Sequence, residues 1–464
     1  MNKGKATMRG RAAISVMLAV SAGTAWAQTR PVATAPVRAP GTAVQGQAGM
    51  VDPLAPKAAP TTAAPMTTTQ PGSVPPAGTD QLAPGAVPAP VVVELPPAVW
   101  QAAPAAELLA YVKAVGKEGL DPRDYSPALL ETALKSGDPA AISAAANTVW
   151  PLIVRDLALG HVRGAARVQW FVRDPDLPEG RTRELLDAAL AGRGVAATLD
   201  GLLPNHPQYG SLRNALLVNA KDPATIAKVR LNMDRWRWLP RDLGNRYIIV
   251  NVPGEHATLV ENSATRWKRR AIAGATKTPT PQLAVQATGV ILNPWWEVPP
   301  SLSAEVARKG GYVAVKGKDG KVQRWRQPPG PSNALGKIKF VMYNPQNIYL
   351  HDTNNRGLFD ARSRFLSHGC IRTEHILDLA AELLSDDGGE WDRTKIDEAL
   401  AANKTVSANF VKPVPVYIVY FSIAALNDGS IVKYTDLYGR DAPVMAALND
   451  RDGTAKPAVK AATR

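Results

Sequence analysis

The chain has 464 residues, with 54 Lys and Arg against 40 Asp and Glu for a formal net charge of +14, and is 45% hydrophobic and 20% charged. This composition is globular in the main, and the length suits about two or three domains. One cysteine excludes an intrachain disulfide framework and a four-thiolate zinc site, and no fixed-period repeat suggests a solenoid or propeller.

Residues 1–27 read as a cleaved signal peptide. Lys3, Lys5, Arg9 and Arg11 precede the short apolar run Ala12–Val20, and Ala25-Trp-Ala27 supplies small residues for cleavage before Gln28. Removing those four cations leaves +10, and the chain is expected to be exported. Residues 28–100 hold 15 of the 40 prolines among Ala, Gly and Thr. This composition predicts a disordered linker, either a tether giving reach or a tolerated low-complexity tail. The basic surplus suits anionic wall polymers and membrane surfaces. No nucleic-acid-binding signature accompanies it, so nucleic acid is not an expected partner.

From 101 to 240 the pattern is helical. Leu108, Leu109, Val112 and Val115 recur at helical spacing with a stop near Gly119, and 137–160 and 181–191 carry further apolar stripes. Nothing in this part pairs a nucleophile with a base, so a scaffold is expected. From 241 to 445 the pattern turns to β. Strands are predicted at Tyr247–Val252, Ala257–Glu261, Ile338–Tyr343, Ile348–Leu350, Val414–Phe421 and Ile431–Tyr434, the last pairing with the Val414 strand. Helices are predicted at about 374–384 and 394–402. The fold class is therefore multidomain α+β, with a helical domain followed by a mainly β domain. Residues 303–335, rich in Gly, Lys and Pro, read either as a mobile flap over a cleft or as a surface insertion. Residues 446–464 read as a flexible tail.

Cys370 lies in Ser367-His-Gly-Cys-Ile-Arg372, just ahead of a predicted helix whose dipole would favour thiolate. His368 and Gly369 adjoin it, and His351 ends a predicted strand. A thiolate needs an imidazole within reach and a group to orient that imidazole. Spacing alone leaves open which histidine reaches the sulfur. A metal site of Cys370, His351, His368 and Asp352 is the rival reading, but no zinc-type spacing supports it.

The segment Ser367–Arg372 resembles the signature of the L,D-transpeptidase (YkuD) catalytic domain. Asn232–Pro240, Tyr247–Val252, Thr280-Pro281, Asn293–Trp295, Asn333–Gly336, Ile348–Thr353 and Asp436–Asp441 are similar to the YcbB-like subfamily of Gram-negative bacteria. Gly119–Tyr125 and Ala158–Gly160 are similar to that subfamily's scaffold domain. The resemblance implies a periplasmic peptidoglycan enzyme without a cofactor. It implies Cys370 as nucleophile, His351 as base, His368 in support, and amides near Gly369 and Cys370 as an oxyanion hole. It implies Arg372, Tyr343, Asn333 and Ser367 as candidate substrate-binding residues and a capping subdomain at about 295–335. Stem tetrapeptides would be donor and acceptor, an outer-membrane protein an alternative acceptor, and carbapenems covalent inhibitors. A non-catalytic wall-binding protein on the same fold is the reading from another class. One departure stands out. Tyr209–Leu231 is too short for the peptidoglycan-binding insert of about 60 residues that many YcbB-like proteins carry.

Overall fold

The computed structural model describes residues 96–174, 177–178, 180–451 and 453. The predicted signal peptide and nearly all of the predicted linker lie outside them. Residues 96–100 are already part of the fold. Trp100 is buried, stacks edge-on against Trp150 at 5.8 Å, and donates its indole N–H to Asn147.

Five helices build the first core: α1 (Ala102–Ala114), α2 (Pro127–Ser136), α3 (Pro139–Leu159), α4 (Arg181–Ala188) and α5 (Val195–Asp200). Leu108, Val112, Val149, Trp150, Ile153 and Leu157 interlock there. The start of α3 is set by Asp138, whose carboxylate accepts from the amides of Ala140 and Ala141. The α1 segment tightens to a 3₁₀ turn and ends at Gly119, whose φ of +75° a glycine adopts without strain. The stretch too short for an inserted domain holds most of α6 (Pro207–Val218) and the start of α7 (Pro223–Arg237). Their Tyr209, Leu212, Val229, Met233 and Trp236 pack against Tyr247, Tyr417, Val419 and Phe421 of the β domain.

After β1 (Trp170–Phe171), the strands are β2 (Arg246–Asn251), β3 (His256–Glu261), β4 (Ala264–Gly274) and β5 (Gln282–Leu292). The cap follows as β6 (Trp296–Glu297), α8 (Ser303–Val306), β7 (Val313–Lys316) and β8 (Val322–Gln327). Then come β9 (Ile338–Val341), β10 (Leu350–His351), β11 (Phe365–Ser367), β12 (Ile371–Thr373), α9 (Ile376–Ser385), α10 (Arg393–Ala401), β13 (Val406–Val419), β14 (Ile423–Ala425), β15 (Ile431–Lys433) and α11 (Asp441–Leu448). The order β5-β13-β2-β3-β4-β12-β10-β9 returns to β5, because β9 also pairs with β5. These eight strands close a barrel, which removes its open edges. Its interior is filled by Ile248, Val250, Leu259, Val290, Phe340, Leu350, Ile371, Val416 and Ile418, with Leu379 and Leu383 of α9.

Three sequence expectations change. The 431–433 strand pairs with β14, not with the long β13. The Gly/Lys/Pro-rich region is not a bare flap but a three-stranded antiparallel sheet in the order β6-β8-β7. Residues 446–451 and 453 are not a loose tail. Leu448 is buried, the Gly453 carbonyl accepts from the Arg163 amide, and the Asp450 carbonyl bonds His161 Nε2 at 2.8 Å.

Buried polar ties hold α7 to the end of α3. Asp234 on α7 accepts from the His161 amide (2.6 Å), the Val162 amide (3.1 Å) and the Trp238 indole (2.9 Å). Removing a buried, fully bonded carboxylate leaves three donors without partners. Asp234→Ala is therefore expected to lower stability by about 3–5 kcal/mol, as a reduced urea midpoint at unchanged slope. A change under about 0.5 kcal/mol would show that water replaces the carboxylate.

Candidate active site

The site begins with a cross-strand row. His351 on β10 lies opposite Lys339 on antiparallel β9 and opposite Arg372 on parallel β12. The neighbours Ile338, Phe340, Leu350 and Ile371 fill the barrel interior, so strand alternation turns Lys339, His351 and Arg372 to the outer face. Tyr349, two residues before His351, shares that face, with its ring 5.6 Å from the imidazole. Cys370 immediately precedes β12.

The turn carrying Cys370 is held from three sides. The Ser367 hydroxyl donates to the Cys370 carbonyl (2.6 Å) and accepts from the Gly369 amide (3.1 Å). The Thr280 hydroxyl donates to the Gly369 carbonyl at 2.7 Å, and the Ala275 amide donates to the Ser367 carbonyl. The Ile371 amide donates to the Tyr349 carbonyl at 3.1 Å. Gly369 has φ +120°, which a side chain would strain. Close approach makes the second glycine necessary, since a Cβ on Gly274 would sit 2.1 Å from the Thr278 carbonyl.

A cavity of about 170 Å³ collects Cys370, His351, His368, Ser367 and Arg372 under Trp296 and Tyr312 of the cap. His368 stands exposed at its rim. His351 is buried, and its Nδ1 is sealed from solvent. Burial, then the charges of Arg372 and Lys339, push its pKa down to about 3, so the resting imidazole is neutral. Burial raises the Cys370 thiol, against hydrogen bonds from Tyr349 and the fields of Lys339 and Arg372. Sγ donates to the Asn347 carbonyl at 3.6 Å. The resting pair is thiol and neutral imidazole.

This differs from the helix-dipole expectation. Strand β12 intervenes between Cys370 and α9, which starts only at Ile376, so the dipole does not act on the sulfur. The expected oxyanion amides also divide. The Gly369 N–H is taken by Ser367, whereas the Cys370 N–H makes no hydrogen bond among the described residues. Asn333 is not a cavity wall. It is fully buried and donates to the carbonyls of Pro294, Gln327 and Pro328, bracing the root of the cap. Ser367 lines the cavity, but its hydroxyl is spent on the turn. Tyr343 lies outside this cavity and lines a second one with Lys339, Asn347 and Tyr349. Asp352 does not reach His351 with its carboxylate. It accepts from the Lys337 amide and from Arg356. Among the described residues, no three His, Cys, Asp or Glu side chains gather as a metal centre would require. Lys339, Tyr349, Trp296 and Tyr312 were missed by sequence reasoning, although strand alternation from His351 points to Tyr349.

Residues 245–416 match the family model of the L,D-transpeptidase catalytic domain, and residues 97–216 match that of the scaffold domain. The chain carries an L,D-transpeptidase catalytic domain behind a scaffold domain. A Haemophilus influenzae protein provisionally assigned as an L,D-transpeptidase is 32% identical over 257 residues, 50% of this chain and 51% of that protein. The chain thus spans about half the length of the curated relative it matches. Two solved structures are also similar. One is an L,D-transpeptidase from Mycobacterium smegmatis, at 14% identity over 38% of this chain and 58% of that one, with a TM-score of 0.20. The other is the ertapenem-acylated catalytic domain of the Enterococcus faecium enzyme, at 14% identity over 38% and 97%, with a TM-score of 0.19.

The depressed imidazole has a stability consequence. Between about pH 6.5 and pH 3 the unfolded chain binds a proton at residue 351 that the folded chain refuses, so this residue's contribution falls as pH falls. His206 and His256, each pushed down to about 4 by burial, act in the same direction. His351→Gln removes one share only. Urea midpoints are expected to fall less steeply with acid in the variant than in the wild type, whereas parallel curves would mean that His351 titrates normally.

Proposed function

We propose that the chain is a peptidoglycan L,D-transpeptidase of the YcbB-like kind, exported to the periplasm, that joins two meso-diaminopimelate residues in a 3–3 cross-link. The observation that carries this reading is the gathering of the lone thiol, a neutral imidazole and a guanidinium with no carboxylate partner among the described residues in one capped cavity. The catalytic-domain match supports the reaction class.

The thiol proton passes to His351 as Cys370 attacks the carbonyl between the third residue and the terminal D-Ala of a donor stem tetrapeptide. The Cys370 N–H is the free amide placed for the oxyanion, and stabilising that charge is usually the strongest single effect in acyl transfer. The C–N bond breaks, His351 gives its proton to the departing amine, and a thioester remains. An acceptor amine then attacks the thioester, His351 takes its surplus proton, and the sulfur leaves and is reprotonated. Trp296 and Tyr312 cover the cavity and limit the water that would hydrolyse the thioester. Hydrolysis alone would make the protein an L,D-carboxypeptidase, and a protein lysine as acceptor would make it an anchoring enzyme. A carbapenem is expected to acylate Cys370 by the same attack.

Muropeptide analysis after mixing the protein with tetrapeptide-rich peptidoglycan tests the assignment. New 3–3 dimers with released D-Ala support it, D-Ala alone indicates the carboxypeptidase, and neither product with no carbapenem adduct on Cys370 refutes both. Among variants, Cys370→Ala is expected to abolish D-Ala release, and His351→Ala to lower kcat/KM by about 10²–10⁴-fold. The exposed His368 is expected to tolerate serine with a milder loss. A dead His368→Ser beside a near-normal His351→Ala would exchange the roles.

A further inference from the structure

A second cavity of about 190 Å³ lies on the other side of Tyr349 from the capped one. Tyr349 lines both. The second cavity is walled by Lys339, Tyr343, Asn344 and Asn347, and the Asn347 carbonyl is the group that accepts from the Cys370 thiol. Cys370 itself lines only the capped cavity, so a molecule in the second one borders the sulfur across Tyr349 and the Asn347 carbonyl.

Lys339 is the one charged group in that wall. It is half-buried, with its ammonium 4.8 Å from the centre of the Tyr349 ring. Among the described residues, no carboxylate comes within ion-pairing distance of it. The acidic side chain whose field reaches it, Glu297, is already engaged by Arg324 at 3.2 Å and Arg326 at 3.4 Å. Partial burial lowers the Lys339 pKa, as expected of an ammonium that has lost water without gaining an anion. Arg372, on the other side of His351, has no carboxylate partner among the described residues either and faces the capped cavity. The two cations therefore serve two different cavities that share Tyr349 as a wall, and the field of each reaches the Cys370 sulfur.

Resting on the transpeptidase reading, we propose that the Lys339 cavity is the acceptor site, in which the ammonium receives the carboxylate borne on the same carbon as the attacking amine. The acceptor amine of meso-diaminopimelate has such a carboxylate beside it. Pairing that carboxylate with Lys339 directs the adjacent amine at the thioester, while Tyr343, 88% exposed, supplies an apolar wall to the rest of the acceptor. Lys339 is then a specificity-determining residue. It discriminates acceptors with a free α-carboxylate from acceptors in which that group is amidated, and from simple alkylamines.

The test uses the full chain with a tetrapeptide donor and two acceptor peptides, one with the free carboxylate beside the amine and one with the primary amide. Wild type is expected to favour the free form in kcat/KM by about tenfold to a hundredfold, the range of a charge-assisted hydrogen bond. Lys339→Met is expected to collapse that ratio towards one, and Lys339→Arg to keep most of it. The ratio is insensitive to a general loss from misfolding, since both acceptors see the same protein. Equal use of both acceptors by wild type, or an undiminished ratio in Lys339→Met, overturns the proposal. The carbapenem adduct on Cys370 and acceptor-free D-Ala release report separately on the transpeptidase reading. If those fail, calorimetric binding of the two acceptor peptides to wild type and Lys339→Met still decides the carboxylate site, by the same ratio.

Discussion

Two strand pairings, His351 with Lys339 and His351 with Arg372, set the imidazole between two cations. They are fixed because the barrel closes. Once β9 pairs with β5 as well as β10, the register of β10 is held from both sides, and Ile338, Phe340, Leu350 and Ile371 fit only an inward alternation. A slip of one residue would bury Lys339 and Arg372 in an apolar interior and expel Phe340, at a cost no local rearrangement offsets. The hydrophobic filling of the barrel thus places an imidazole between two cations on its outer face, so packing and chemistry have one cause.

The nucleophile turn depends on residues far from it in sequence. On α7, Arg235 pairs with Asp441 at 2.7 Å, next to Arg440. Arg440 donates to the Thr280 carbonyl at 2.9 Å and stacks on Tyr420 and Tyr438. Tyr438 donates to the Gly274 carbonyl, and Thr280 holds the Gly369 carbonyl beside Cys370. The C-terminal Asp436–Asp441 stretch therefore links the α6–α7 layer to the catalytic turn. Asp436 shapes that stretch by accepting from the Tyr420 hydroxyl and from the amides of Arg440 and Asp441. Charged groups this deeply buried gain their value from geometry, because their desolvation offsets much of their mutual attraction.

Much of this was legible in the sequence where the signal is periodic. The helical part, the β2–β3 hairpin across Pro253 and Gly254, and the α9 and α10 segments follow from apolar spacing. The pairing of Cys370 with His351 is implied only by the resemblance of Ser367–Arg372 and Ile348–Thr353 to the L,D-transpeptidase signature, since spacing alone favours neither histidine. What escaped depends on pairing between distant strands. Residues 431–433 read as a partner for β13 because both are β-branched runs, but the Asp428-Gly429 turn returns them onto Ile423–Ala425. Asn333 belongs to a motif shared with a catalytic family, yet its amide serves backbone carbonyls inside the cap. Lys339 is one lysine among many until the register sets it opposite His351. The cap looked formless because its strands are short and its outer face is polar, which leaves no clean alternation to read.

The charges around His351 resolve an apparent conflict. A buried imidazole flanked by two cations is a poor base towards water, and its pKa of about 3 says so. Burial is the first cause of that depression, and the Arg372 and Lys339 charges add to it, so the imidazole stays unprotonated well below neutral pH. Yet the same Lys339 and Arg372 fields favour the Cys370 thiolate. On the proposed mechanism, a proton moving from sulfur to imidazole meets opposed effects, because the cations oppose the new positive charge and stabilise the new negative one. The transfer within the pair is thus far less hindered than uptake of a proton from solvent. Such an arrangement keeps the base vacant and the thiol protonated at rest. On the proposed mechanism the ion pair forms only when a carbonyl, or a carboxylate neutralising one of the flanking cations, tips the balance.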